Sequence, residues 1–292
     1  MNKETELLLA LSSSASGETA AQSSDGVYPG ADLTAKFASE VGSDAWAWIK
    51  SRIQAANFSG IHVGDYIPFT AGGNAYCAQV AGIDSYSKYG DSVLPHHIDF
   101  ICDKLWSESH AFNQADYNNG ISTEAAPWLC SDLYFWLNSL AGTVPTGAGT
   151  TTAVDYTASG VFGKLPSALQ AVIAEKSMYT ETRYSGGGLL TDSNSNAWKN
   201  IGKLWLPTEL ETFGICNSGS PYTSTRGSIC QYPIFRGKAQ VKYRAGGGRS
   251  TYWLLNPASG ASNSFCAVHS SGFASRAAAT TTAFVPICFR IV

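Results

Sequence analysis

The chain has 292 residues and a net charge of −3, with 44% hydrophobic, 12% aromatic and only 14% charged residues, against roughly 25% charged in an average globular protein. That length and apolar content suit one large domain with a substantial core, and no run approaches the roughly 18 apolar residues of a membrane span, so no membrane insertion is expected. The charge is uneven: Glu211 is the last acidic residue, and the eight Lys and Arg of residues 212–292 leave −11 on the first 211. No nucleic-acid partner is expected, because Gly246 to Gly248 interrupt the basic residues and no reader motif is present.

Residues 1–27 read as a flexible tail, Ser-, Ala- and Gly-rich after the short apolar run Leu7 to Leu11. Ala31 to Ala56 carries Leu33, Phe37, Val41, Trp48, Ile49 and Ile53 at helical spacing, with a break near Gly42. Strands are predicted over Val63 to Phe69 and Ala75 to Ile83. Ser131 is placed to cap a helix from Asp132 to Leu140, and Pro166 to open one through Ile173. Thr208 and Glu211 have capping-box spacing for a very short helix. Beyond Phe213, Gly-punctuated strands are expected at Tyr232 to Phe235, Ala239 to Tyr243, Thr251 to Leu255, Ser264 to His269 and Val285 to Ile291. No linker interrupts residues 28–292, which read as a single mixed domain.

Catalytic signals are sparse. The seven Cys, at 77, 102, 130, 216, 230, 266 and 288, show no C-x-x-C and no zinc-ligand spacing, which suits buried free thiols. His96-His97-Ile-Asp99 is the most catalytic-looking cluster, yet no nucleophile motif accompanies it. It reads better as a pair ordering a loop with Asp99 as partner. Gly186 to Gly188 and Gly246 to Gly248 lack the strand-to-helix context of a phosphate cradle. The Trp residues at 106, 128, 136, 198, 205 and 253 could line a sugar site, but their apolar neighbours favour core packing. No catalytic residue, metal or cofactor is assigned.

Four segments taken together carry a resemblance. They are Pro127 to Ser139, Gly202 to Gly214, Tyr252 to Asn256, and Phe265 to Gly272 followed by Val285 to Ile291. Over roughly residues 60–292 the chain resembles an uncharacterised domain family of gut bacteria and their phages, whose C-terminal half is similar to the C-type lectin fold. Some members look like the variable target proteins of diversity-generating retroelements, which rewrite adenines in AAC-like codons. Codons ending in C cannot encode Lys, Glu, Gln, Met or Trp, and none of these occurs after Trp253.

The resemblance implies an α+β, C-type lectin-like domain over 28–292: small twisted antiparallel sheets, two flanking helices and many loops. Its implied function is non-enzymatic binding of a bacterial surface protein or glycan through a variable region at about 252–292. The chain would sit on a virion made in the host cytoplasm, beside other virion proteins, or on a bacterial cell surface, and a homo-oligomer is allowed. Trp253, Leu254, Phe265, Val268, Val285, Ile287, Phe289 and Ile291 would be fixed core positions. Asn256, Ala258, Ser259, Ser262, Asn263, His269, Ser271, Phe273, Ser275, Arg276, Ala278, Thr280 and Thr281 are the candidate variable, ligand-contacting positions. Alternatives are a structural virion component, or an oxidase of formylglycine-generating type using Cys266 and Cys288 with copper.

Overall fold

Short capped helices open the domain. Asp32 accepts the N–H of Thr34 to start α1 (Leu33–Lys36), α2 (Ala38–Val41) follows, and Asp44 accepts two N–H groups to start α3 (Ala45–Gln54). Gly42, at φ +62°, makes the break between α2 and α3, a backbone conformation that costs glycine little. The structure, a computed structural model, describes residues 28–85, 95–186, 188–219 and 231–292. The expected tail over 1–27 lies outside them.

The remaining elements, in chain order, are β1 (Tyr66–Ala71), β2 (Asn74–Ile83), β3 (Ile98–Leu105), β4 (His110–Ala111), α4 (Asp132–Asn138), β5 (Ala141–Gly147), β6 (Thr150–Asp155), α5 (Ser167–Gln170), β7 (Ile173–Ala174), β8 (Ser177–Thr182), β9 (Ser195–Asn200), β10 (Leu204–Trp205), α6 (Glu209–Phe213), β11 (Tyr252–Pro257), β12 (Ser264–Val268), β13 (Ala274–Ala278), β14 (Thr282–Ala283) and β15 (Pro286–Ile291). The largest sheet runs β1-β2-β3-β15-β10, with β7 also pairing to β15. The C-terminal strand therefore lies inside the sheet, antiparallel to β3, and pairs Phe289 with Phe100 and Arg290 with Asp99. A three-stranded sheet β11-β12-β13 and the hairpins β5-β6 and β8-β9 surround it.

This architecture corrects the expected fold class. The chain is mostly β, 36% strand and 16% helix, with several small sheets and one curled, half-barrel sheet rather than a C-type lectin-like α+β domain. The expected pair of flanking helices is missing because the helical segments stop early. Glycine divides the first, and α4 ends after seven residues at Ser139 in the left-handed conformation. The Pro166 segment gives only the four residues of α5 before the chain turns into β7. Two predicted strands also fail: Tyr232 to Phe235 contains a 3₁₀ turn at Pro233–Phe235, and Ala239 to Tyr243 is irregular.

The core is aromatic. Phe100 and Phe289 stack at 5.2 Å, and Trp46 meets both edge-on. Trp253 is fully buried, meets Phe112 edge-on and donates its indole N–H to the His110 carbonyl. The fixed positions expected from the resemblance are all buried, and so are Trp106, Trp128, Trp136 and Trp205; Trp198 is half-buried on β9. No helix among the described residues is long and apolar enough to cross a membrane.

Candidate functional site

The predicted variable region divides in two. Its first part, Asn256 to Asn263, is pinned from within. Arg183, itself fully buried, donates to the carbonyls of Ala258 at 3.0 Å and Ala261 at 3.1 Å. Asn118 donates to the carbonyls of Ala261 and Ser264, and the Ser259 hydroxyl donates to Asp192 at 2.6 Å. Asn256 and Ala258 are 3% and 0% exposed, and Asn256 Oδ1 accepts the N–H of Glu209. These two positions are thus parts of the scaffold and not of a ligand-contacting surface. Ser259 and Ser262 are half-buried, and Asn263 is exposed.

The second part is the β12-β13 hairpin. On β12 four of five residues are buried, whereas on β13 none is. Pairing of His269 with Phe273, and of Asn263 with Ala279, turns the N–H and C=O groups of these residues toward the partner strand. By the two-residue period of an antiparallel ladder, those of Ala274 and Arg276 face outward. At the tip, Phe273 is 55% exposed and stacks on the His269 ring at 4.4 Å, while the Ser271 N–H donates to His269 Nδ1. Gly272, at φ +90°, lies so close to Gln240 and Val241 that a Cβ would meet the Val241 side chain at 2.9 Å. Ser275 and Ala278 are half-buried and Arg276 is exposed, its guanidinium reaching toward the Ser259 carbonyl. Thr280 is anchored on the Asp116 carboxylate, beside an exposed Thr281.

A cleft of 310 Å³ lies at the base of this tip, between Gly272 on one side and Phe213, Gln231 and Phe235 on the other. Its floor, Lys238, Ala239 and Gln240, is shared with a smaller cavity of 160 Å³ that reaches back to β2 and β3. The surroundings are basic. Among the described residues, Lys and Arg pair with carboxylates at Lys36, Arg52, Lys104, Lys164, Lys176, Arg183, Lys199 and Arg290. Exposed Arg236, Lys238, Arg244, Arg249 and Arg276 are not among them.

The groups that resembled chemistry are otherwise engaged. His97 is buried, bonded through both ring nitrogens to the Pro95 and Ser85 carbonyls, and burial lowers its pKa. The carboxylate serving this histidine pair is Asp84, at 2.8 Å from His96, and not Asp99. Asp99 instead receives two bonds from Arg290 and one from Tyr232, whose hydroxyl also accepts from Lys176, which pairs with Glu211 at 3.0 Å. Burial pushes the Asp99 carboxyl up, but Arg290 and Lys176 outweigh it and hold it well below the ordinary carboxylate range. Cys266 and Cys288 lie in different sheets, so they are not a pair on adjacent strands, and burial raises both thiol pKa values. Among the described residues no three His, Cys, Asp or Glu side chains converge as a metal site requires.

A family model described as "Domain of unknown function (DUF6273)" matches residues 100–291. The chain belongs to the DUF6273 family. The DUF6273 match starts inside β3 and ends on the last residue of β15, two antiparallel neighbours, so it encloses the hairpin with its cleft and every member of the buried ion network except Asp99. Residues 28–99 lie before the match yet complete the same core, since Trp46 packs on Phe100 and Phe289. No curated protein and no solved structure matches the chain.

Sequence reasoning missed the cleft. Its residues come from α6, the 3₁₀ turn, an irregular stretch and a hairpin tip, and no local pattern joins them.

Proposed function

We propose that this protein is a non-enzymatic binding protein that meets its ligand, a bacterial surface protein or glycan, with the β12-β13 hairpin and the cleft at its base. One observation carries the reading: β13 has no buried residue although it is paired along its whole length to a buried strand. Apart from Ala277, which packs against the core, side chains there can change without disturbing it, while the backbone that presents them is held by the ladder. An exposed aromatic, Phe273, and an exposed cation that pairs with no carboxylate among the described residues, Arg276, are the kinds of group that dominate binding energy.

The test is a combined alanine variant of His269, Ser271, Phe273, Ser275 and Arg276, assayed on arrays of bacterial surface proteins and glycans beside the parent. The expected result is an unchanged cooperative melt with binding lost. Retained binding, or an unfolded variant, would sink the reading. That this surface is diversified and carried on a virion is a further part of the proposal. It is supported by the sequence resemblance and by the absence of Lys, Glu, Gln, Met and Trp after Trp253. Its check is a search beside the gene for a reverse transcriptase and a near-identical repeat differing at adenines.

A further inference from the structure

Four Lys or Arg residues are buried among the described residues: Lys176, Arg183, Lys242 and Arg290. Three of them face a carboxylate, Glu211 at 3.0 Å, Glu181 at 3.5 Å and Asp99 at 2.7 Å. Lys242 is the exception. At 9% exposure its ammonium donates to the Cys102 carbonyl at 2.6 Å and the Asp103 carbonyl at 3.3 Å, and no carboxylate lies within ion-pair distance among the described residues. An ammonium carries three N–H groups, so one remains to be used. Burial lowers the pKa of this amine, as expected where a charge is withdrawn from water without a counterion.

Lys242 lines the 160 Å³ cavity, together with Gln79, Ile101, Phe235 and Tyr252. At about 30 Å³ per water, that volume equals roughly five waters, room for a carboxylate and for part of the ring that bears it. The rest of a ligand has room in the adjoining 310 Å³ cleft, which shares Phe235, Lys238, Ala239 and Gln240 with the cavity. Lys238 and Asp103 also line the small cavity. Asp103 already faces Lys104 at 3.9 Å, so the two cavity ammonium groups leave this pocket with a positive charge that suits an anionic group. The cleft offers the side-chain amide of Gln231, an aromatic wall at Phe213 and the backbone of Gly237 and Gly272, surfaces suited to a hydroxylated ring.

We propose that the cavity binds the carboxylate of an acidic sugar, a uronate, with Lys242 as its buried cation and Lys238 at its mouth. The assignment rests on the reading of the cleft as part of the binding face and narrows the ligand class. The test is thermal unfolding of the whole chain with sodium glucuronate, glucose, glutamate or phosphate at matched ionic strength, because a ligand that binds only the folded state raises Tm. Glucuronate is expected to raise Tm, and the other three are not. Lys242→Met should abolish the shift, and Lys238→Met should weaken the apparent affinity about tenfold. Should Lys242→Met fail to fold, Lys238→Glu carries the test, since reversing the charge at the mouth should abolish the shift.

No response to glucuronate, an equal response to glutamate or phosphate, or a full response in both Lys238 variants would overturn the proposal. The two readings fail separately. A hairpin alanine variant that still binds cell-surface ligands sinks the earlier reading, whereas the glucuronate shift depends on Lys242 and Lys238 and not on the hairpin tip.

Discussion

β13 and β15 lie within the last nineteen residues of the chain, have nearly equal length, and differ in almost every physical respect. β15 is buried at all six positions and hydrogen-bonded on both sides, to β3 on one edge and to β10 and β7 on the other. β13 has a partner strand on one edge only, and its five residues are half-buried or exposed. A strand with neighbours on both edges and layers on both faces fixes every side chain it carries. An edge strand needs only its backbone, so its side chains are available for recognition. The same chain thus places a fully buried element and a largely open one eight residues apart.

The largest effect that would break this contrast is on β15. Phe289→Ala removes a fully buried ring stacked on Phe100, and should cost about 3–5 kcal/mol in a denaturant melt. Asp99→Ala should cost a similar amount, about 3–5 kcal/mol, because it strands the buried Arg290 guanidinium. A loss below about 1 kcal/mol in either variant would mean that β15 is not the central strand described here.

A second effect concerns pH and the two buried ion pairs. Glu181 lies beside Arg183, but neither carboxylate oxygen accepts a hydrogen bond, and burial outweighs Arg183 to raise its pKa from 4.5 to about 7. Its folded pKa is raised, so its contribution to stability is full below pH 4.5 and is lost as pH rises through about 7. Asp99 has the opposite sign. Its folded pKa is depressed, so its contribution is present at neutral pH and lost as pH falls below the ordinary carboxylate range. The stability these two groups contribute should therefore be greatest at about pH 4 to 4.5, and should fall as pH rises from there to about 7. Glu181→Gln should flatten the alkaline side, by an amount on the order of 3 kcal/mol for a shift of that size. An unchanged slope between pH 5 and 8 in this variant would refute the assignment.

Smaller effects follow at the capping box and the edge strand. Thr208→Ala removes the side chain that accepts the Glu211 N–H and should cost about 1 kcal/mol. Ser275→Ala and Arg276→Ala, on β13, should each stay within about 0.5 kcal/mol of the parent. A large loss at either β13 position would erase the difference between the two strands.

Local chemistry was legible in the sequence, and assembly was not. Ser131 caps α4, the Thr208 and Glu211 box starts α6, and β2, β11, β12 and β15 fall where alternation and glycine punctuation put them. Those signals act over two to four residues and survive without any tertiary partner. At the site, Phe273, Ser271 and Arg276 are exposed as the resemblance implied, an expectation that no local pattern of residues supplied.

Contacts distant in sequence decided the rest. β3 was hidden behind a histidine pair, and the β5-β6 and β8-β9 hairpins behind Thr-, Ser- and Asn-rich stretches, because their pairing depends on the partner strand and not on local hydrophobicity. Asn256 and Ala258 read as a variable turn, yet Arg183, 75 residues earlier at Ala258, makes that turn part of the core. The Asp99–Arg290 pair joins residues 191 apart. Lys242 reads in sequence as one more surface lysine. Only the fold removes it from water, surrounds it with carbonyls and opens a cavity beside it, because desolvation is a property of everything packed around a charge and no short stretch of sequence encodes it.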